Sequence, residues 1–456
     1  MDPATSHLWG SRRSPLDDIM PPLVTGLILC FPCDAANRTR LLEVLNKAVE
    51  DLVRESPSLA GRVTRNESEN QSADGLRPGQ LLLQIPEPLH APKVIVNDLT
   101  ESHEYNYREL IDAGVPMSKL DSKIFAPQIG VATTANVVDF RANFITGGCL
   151  LTICKASEHL PSRILADDIP ASLRPLVPAS EYADRKPRPE LWRVLGLDWR
   201  PKEEAPAEPP FILASETSIK MFKMSASALA SVKRLATSVD AGAGWVSTND
   251  ALVAFLWTAV MRARFPEGAI HGRKTSSYVS VAINGRKGLE VPAEWPGNVV
   301  FCCMTELPLD VLTAPVDDDG ANNLPLVAQS IRRRVAEDRE PGLLRDAVAL
   351  AACIPDVRQL GNAFRSWLDE DLVTTSLVDL PFHELDFGSA FSGGAADGVG
   401  SAEAFRMPAG HFAGICCMQP RLPDGSVEFV VSMKPNEMAR LESDRLFQLH
   451  STFVSE

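Results

Sequence analysis

Two segments of this chain carry residue types and spacings suited to chemistry. Gly147-Gly148-Cys149-Leu150-Leu151-Thr152-Ile153-Cys154 reads as a tight glycine turn running into a buried strand. Asp386-Phe387-Gly388-Ser389-Ala390 sets a carboxylate on a tight turn, and a carboxylate that is buried there needs a partner. His159 is the one histidine shortly after the glycine strand, with Arg163 four residues on and Asp167 and Asp168 beyond. His383 and His411 flank the Asp-Phe-Gly turn and read as packing or surface residues. Ser247-Thr248-Asn249-Asp250 has the pattern of a helix N-cap, which serves capping first and attracts phosphate second.

Other chemistries are excluded. Asp-Phe-Gly also occurs in protein kinases, but this chain has neither their His-Arg-Asp loop nor a glycine-rich loop on a first strand. Gly242-Ala243-Gly244 lacks the third glycine and the preceding strand of a dinucleotide site. There is no Gly-x-Ser-x-Gly elbow, and no His/Cys grouping has metal-ligand spacing, so no metal is expected. Cys30-Phe31-Pro32-Cys33 has redox spacing but no helix start behind it, so two buried thiols at a strand end are expected. Cys302-Cys303 and Cys416-Cys417 lie in apolar runs and read as core.

The elements that must position these residues come in two sets. At 456 residues the chain outgrows one ordinary core. A strand is predicted over residues 22–32, then a helix carrying Leu41, Leu42, Leu45, Ala48, Val49, Leu52 and Val53 at helical spacing, ended by Pro57. Further strands are predicted at 81–85, 94–96 and 144–154, with a short helix at 107–113. Ten prolines between 161 and 210 mark an extended connector. Beyond it come a strand at 219–224, helices at 225–236, 251–264 and 325–338, and strands at 277–283 and 299–307. A closing hairpin is predicted around Pro423-Asp424-Gly425. The mixture predicts an α/β protein of two lobes with mixed sheets, divided as 1–165, a crossover at 166–212, and 213–456.

The net charge of −14 argues against nucleic acid or anionic membrane as a main partner. No run reaches the roughly 20 apolar residues of a membrane helix, and no secretory leader is evident. Nine cysteines without a leader fit a reducing compartment, so the cytoplasm is expected.

Several segments, in order, resemble the BAHD acyltransferases, in the fungal, trichothecene-acetyltransferase-like branch. They are Ser14-Pro15-Leu16-Asp17, Pro57-Ser58-Leu59-Ala60-Gly61-Arg62, the Gly-Gly strand, Ser247-Thr248-Asn249-Asp250-Ala251-Leu252, Asn284-Gly285-Arg286, Gly297-Asn298 and Asp386-Phe387-Gly388. The resemblance implies two chloramphenicol-acetyltransferase-like lobes joined by the crossover, with the active centre in a channel between them. It implies an acyl-coenzyme A-dependent O-acyltransferase of secondary metabolism, acting on a hydroxyl of a small natural product. Acyl-coenzyme A would be a co-substrate, with no tightly bound cofactor and a monomeric enzyme. It also implies that Arg286 clamps Asp386, with Gly388 shaping the turn, and that Ser247 and Thr248 contact coenzyme A.

In one respect the chain departs from the family. Members continue the Gly-Gly strand into His-x-x-x-Asp, whose histidine is the general base, and no His-x-x-x-Asp occurs anywhere in this sequence. Attack of an alcohol on a thioester needs a base within hydrogen-bond reach. His159 is the candidate that remains. Two readings of the departure stand: residues lost between Cys154 and Lys155, which would uncover apolar sheet, or a non-catalytic, repurposed member that binds a small molecule.

Overall fold

The computed structural model describes residues 14–20, 23–71, 76–132, 134–156, 173, 188–199, 217–237, 244–266, 275–293, 295, 297–315, 323–363, 371–393, 398–407 and 414–456. Two large sheets organise it. In the first, the Gly-Gly strand Gly148–Ala156 lies at the centre, between Leu23–Pro32 and Val138–Ile145, and the latter pairs onward with Ile95–Asp98. The predicted strand at 144–154 is therefore the second arm of a hairpin whose first arm begins at Val138. The hairpin turns at Thr146-Gly147, with Ile145 opposite Gly148.

The sequence-based division of the lobes needs correction at this sheet. Its other edge is Ala404–Arg406, more than 200 residues downstream, paired with Ile28 to Cys30. Those three residues are apolar or long-stemmed and buried, too short a run for periodicity to register. Phe387, Ala390, Phe391 and Phe405 pack against Phe31 and Phe144 in the same core. The Asp-Phe-Gly segment thus belongs spatially with the first sheet, although its sequence position placed it in the second lobe. The opposite exchange occurs at Pro15–Asp18, whose Leu16 joins the core of the second lobe.

The first sheet is covered on one face by helix Arg38–Glu55 through Leu41, Leu45 and Val49. Its other face meets short helices at 107–112 and 122–125, and the second sheet through Met221 and Val430. The buried Arg406 guanidinium fastens this junction. It donates to the Glu428 carboxylate at 2.9 Å and to the carbonyls of Gly114 at 2.7 Å and Val115 at 3.2 Å.

The second sheet has seven strands, with Ser276–Asn284, Leu372–Ser376 and Ile415–Met418 running parallel. The hairpin predicted at Asp424-Gly425 joins Ile415–Met418 to Val427–Met433. Helix Thr248–Arg264 is buried around nearly its whole circumference, not on the single face expected, because helices Ala226–Ala236 and Leu324–Asp338 pack over it.

The proline-rich crossover is not simply extended. Residues 189–195 form a helix whose Leu191 and Val194 enter the second core. Pro189 occupies the first turn, where its missing donor costs nothing, and Gly196 ends the helix at φ 68°. Arg193 ties it to the fully buried Asp338 carboxylate at 3.1 Å. Counting prolines hid a segment that proline starts and glycine stops.

Candidate functional site

The Gly-Gly strand has two ends with different environments. At its start, Gly148 lies beneath the Tyr107 ring, so close that a Cβ there would fall 2.1 Å from ring carbon Cδ2. Gly147 takes φ +81°, which favours glycine. Tyr107 in turn donates its hydroxyl to Glu403 at 3.1 Å, beside the edge strand. The two glycines are thus a packing requirement of the turn.

At its end, Cys154, Lys155 and Ala156 pair in register with Gly26, Thr25 and Val24. The ladder runs unbroken through residues 154–155, the point at which one of the two readings places a loss of residues. His159, with Arg163, Asp167 and Asp168, lies outside the described residues, as does His411. The thiols flanking this strand are inert. Burial pushes Cys30 and Cys154 up to about 12 and raises Cys33 and Cys149. The Cys-x-x-Cys is a pair of free, buried thiols.

Asp386 and Arg286 do not form the expected clamp. The Asp386 carboxylate is exposed and accepts the N–H groups of Gly400 at 2.9 Å and Gly388 at 2.8 Å. Those two bonds hold its carboxyl below the usual range, Gly400 contributing most. Gly388 has φ +85°, and its residue type follows from that turn. Arg286 spends its guanidinium on the carbonyls of Trp295 and Gly297, both at 3.0 Å, and on Asn284 Oδ1 at 3.3 Å. Asp386 is satisfied by backbone donors, and Arg286 is held by oxygens of its own neighbourhood with only its Nε lacking a partner among the described residues.

Arg286 serves a different junction. Asn298, next to Gly297, donates its backbone N–H to Asp17 at 2.9 Å and its side-chain amide to the Leu16 carbonyl at 3.0 Å. Asp17 also closes a capping box with Ser14. Three segments singled out in the sequence, 14–17, 284–286 and 297–298, therefore meet in one knot. Periodicity could not have joined residues 281 positions apart.

The Asp-Phe-Gly loop is remote from the strand end that leads to His159. Phe387 packs 5.0 Å from Phe31, at the Gly148 end. Eight residue steps of strand separate Gly148 from Ala156, roughly 26 Å at strand rise. Asp386 is placed to shape a loop, not to reach that end. His383 is half-buried near the Arg406–Glu428 pair, and burial lowers its pKa.

Ser247 and Thr248 open helix Thr248–Arg264. Ser247 Oγ accepts the Asp250 N–H at 3.0 Å, and Asp250 accepts the Ser247 N–H at 2.8 Å. This is a complete capping box, and it occupies the Ser247 hydroxyl. The half-buried Thr248 side chain has no hydrogen-bond partner among the described residues. Among those residues no group of three or more His, Cys, Asp or Glu is arranged to hold a metal ion, and no helix is long and apolar enough to cross a membrane.

Residues 23–160 match the family described as trichothecene 3-O-acetyltransferase-like N-terminal domain. The chain is 32% identical to an eremophilane O-acetyltransferase of Penicillium roqueforti over 491 aligned positions, covering 97% of this chain and 98% of the relative. It is equally similar to an eremophilane O-acetyltransferase of Penicillium rubens, 32% identical over 97% of this chain and 98% of the relative. Among solved structures, the F. graminearum trichothecene acetyltransferase in complex with coenzyme A and T-2 mycotoxin superposes with a TM-score of 0.75, at 19% identity, over 99% of this chain and all of that one. That likeness shows the fold. With the end-to-end similarity to the Penicillium enzymes, it follows that the chain belongs to the BAHD acyltransferase family, in its trichothecene 3-O-acetyltransferase-like branch.

Proposed function

We propose that this protein transfers an acetyl group from acetyl-coenzyme A to a hydroxyl of a sesquiterpenoid alcohol of the eremophilane type. It is an acyl-coenzyme A-dependent O-acyltransferase of secondary metabolism, with the coenzyme as co-substrate and no tightly bound cofactor. The observation that carries the acceptor class is the 32% identity, over nearly the full length of both chains, to two eremophilane O-acetyltransferases. His159 is the candidate base, and Thr248, with Ser247 at the cap, is the candidate contact for the coenzyme. The division 1–165, 166–212 and 213–456 describes the order along the chain, with residues 404–406 returned to the first sheet. The enzyme acts as a monomer in the cytoplasm, apart from nucleic acid and membranes, in keeping with a net charge of −14.

A specific observation favours a second reading, a coenzyme-binding member that does not turn over. The sequence has no His-x-x-x-Asp. The alignment to the P. roqueforti enzyme spans 491 positions, more than the 456 residues here, so the relative carries residues without a counterpart in this chain.

One experiment separates the readings. The full chain is incubated with acetyl-coenzyme A and an eremophilane alcohol, and its thermal midpoint is measured with and without the coenzyme. Acetylated product that falls at least about 10²-fold in kcat on His159→Ala supports transfer with His159 as base. Product unaffected by His159→Ala removes that residue from the mechanism. A raised midpoint without product supports the second reading, and sequencing the transcript across codons 154–155 then tests whether the missing residues are encoded.

A further inference from the structure

A small sheet packs at the Ala156 end of the Gly-Gly strand and is anchored in the other lobe. Its strands are Arg62–Arg65, Leu81–Gln84 and Thr134–Asn136. Val63, Leu81 and Leu83 share a buried cluster with Ala156, which donates its N–H to the Val137 carbonyl at 3.1 Å. The loop leading into Leu81 reaches across to the second lobe. Arg77, only 9% exposed, donates to the carbonyls of Ala351 at 2.8 Å, Ala352 at 3.1 Å and Ile354 at 2.9 Å. It also pairs with the Asp18 carboxylate at 3.0 Å.

Those carbonyls end helix Pro341–Cys353, whose Leu344, Val348 and Ala351 belong to the second core. A helix C-terminus leaves its last carbonyls without intrahelical donors and favours a cation. This helix has no basic residue in its last turn, and Arg77 supplies donors and charge from 274 positions away. Gln80 completes the anchor. Its side chain accepts the Arg77 N–H at 2.9 Å and donates to Asp18 at 3.0 Å. Pro78 accepts the Val357 N–H at 3.0 Å. Leu81 follows Gln80 directly, so no slack separates the anchor from the sheet. Packing alone would be served by an apolar side chain, because a buried ion pair is often no more stable than its apolar replacement. What the planar fork adds is direction, holding the loop in one orientation on the helix end.

We infer that Arg77 is a positioning residue for acyl transfer, fixing the Ala156 end of the Gly-Gly strand at a set place relative to the second lobe; the inference rests on the acyltransferase reading above. The candidate coenzyme contact Thr248 is in the second lobe, whereas His159 follows a first-lobe strand, so transfer depends on how the two lobes are held. Loosening the anchor lets the strand end shift while each lobe stays folded.

Amide hydrogen exchange on the full chain, together with steady-state kinetics on acetyl-coenzyme A and an eremophilane alcohol, tests this. Arg77→Met is expected to raise exchange at residues 81–84 and 152–156 at least about tenfold, with 149–151 at the parent rate. It is expected to lower kcat at least about tenfold while KM for acetyl-coenzyme A stays within about twofold. Arg77→Lys keeps the charge without the fork, so it falls between the parent and Arg77→Met in both readouts. It carries the test if Arg77→Met does not fold. Phe31→Ala is the control for general loss of stability, since it loosens the same strand pair at the other end. Exchange at 152–156 that matches the parent overturns the inference, as does a rise spread evenly over both ends of the strand. Unchanged kcat beside a local rise overturns it too. If the wild type forms no product and the local rise is present, the acyltransferase reading fails while Arg77 still fixes the strand end.

Discussion

The two ends of the Gly-Gly strand differ in how completely one face of it is enclosed. Toward Gly148, the row Phe31–Cys149–Phe144 is at most 2% exposed, and the row Leu29–Leu151–Ala142 behind it is as well buried. Phe387 and Phe391 close over Phe31 with ring centroids 5.0 and 4.7 Å away. One step further toward Ala156, the row Leu27–Ile153–Phe140 is only half-buried, with Ile153 and Phe140 against the cluster of Val63, Leu81 and Leu83 from a small neighbouring sheet. On this face the strand is sealed at the Gly148 end and half-buried at Ile153, while its other face stays buried through Cys154 and Ala156.

The strongest way to test this contrast is at the sealed end. Phe31→Ala removes a side chain with no exposure from between Phe387 and Phe391 and should cost about 3–5 kcal/mol, read by chemical denaturation. A loss under about 1 kcal/mol would mean that the Asp-Phe-Gly segment is not held by this aromatic contact. Gly148→Ala is next. Its methyl group meets the Tyr107 ring, and overpacking of this kind costs about 1–3 kcal/mol. A double-mutant cycle with Tyr107→Ala should show the two changes to be non-additive. Additivity would remove Tyr107 as the reason for the glycine.

At the open end the expected effects shrink. Ile153→Ala loses a half-buried side chain with little enclosed cavity, about 1 kcal/mol, whereas Leu151→Ala, two residues back and buried, should cost about 2–5 kcal/mol. Equal losses at the two positions would show that the row at Ile153 is covered in solution, and the contrast between the ends would vanish. If the contrast holds, Ile153→Thr should also reduce self-association at high concentration, measured by light scattering, because it interrupts a half-buried apolar row.

These comparisons also show what the sequence could disclose. Elements with strong periodicity were legible: helix Arg38–Glu55 forms where expected and buries Leu41, Leu45, Val49 and Val53, while of the expected face Leu42 is only half-buried and Ala48 and Leu52 are exposed. Turn chemistry was legible too. Asp424 accepts the Ser426 N–H at 2.9 Å and its hydroxyl as well, which explains the hairpin signal. Sheet ownership was not legible, because three residues at 404–406 complete a sheet begun near residue 23 and contribute too few positions to show a period. The partner of Asp386 was misassigned for a related reason. A carboxylate near a glycine turn can be satisfied by backbone donors, and the side chain alone does not reveal that Gly388 and Gly400 supply them. The Arg286 knot with residues 14–17 has the same character: its motifs were visible one by one, and their meeting was a property of the fold.

The smallest expected effect concerns Asp386 itself. Its carboxyl is held below the usual range first by the Gly400 N–H and then by the Gly388 N–H. A depressed carboxylate contributes stability that is present above its unfolded pKa of about 3.9 and is lost as pH falls through the lower folded value. The window is therefore acidic, below about pH 4, and nothing should change between pH 6 and 8. The group is exposed, so solvent screens it, and the contribution should be small beside that of Phe31. Both N–H groups donate to the same carboxylate oxygen, so Asp386→Asn keeps an acceptor for both bonds, loses their charge assistance and removes the titration. Its thermal midpoint should sit slightly below the parent at pH 7, and the difference should narrow as pH falls below 4. A loss at pH 7 as large as that of Phe31→Ala would instead indicate a buried charged partner, and would restore the Arg286 clamp that the loop geometry argues against.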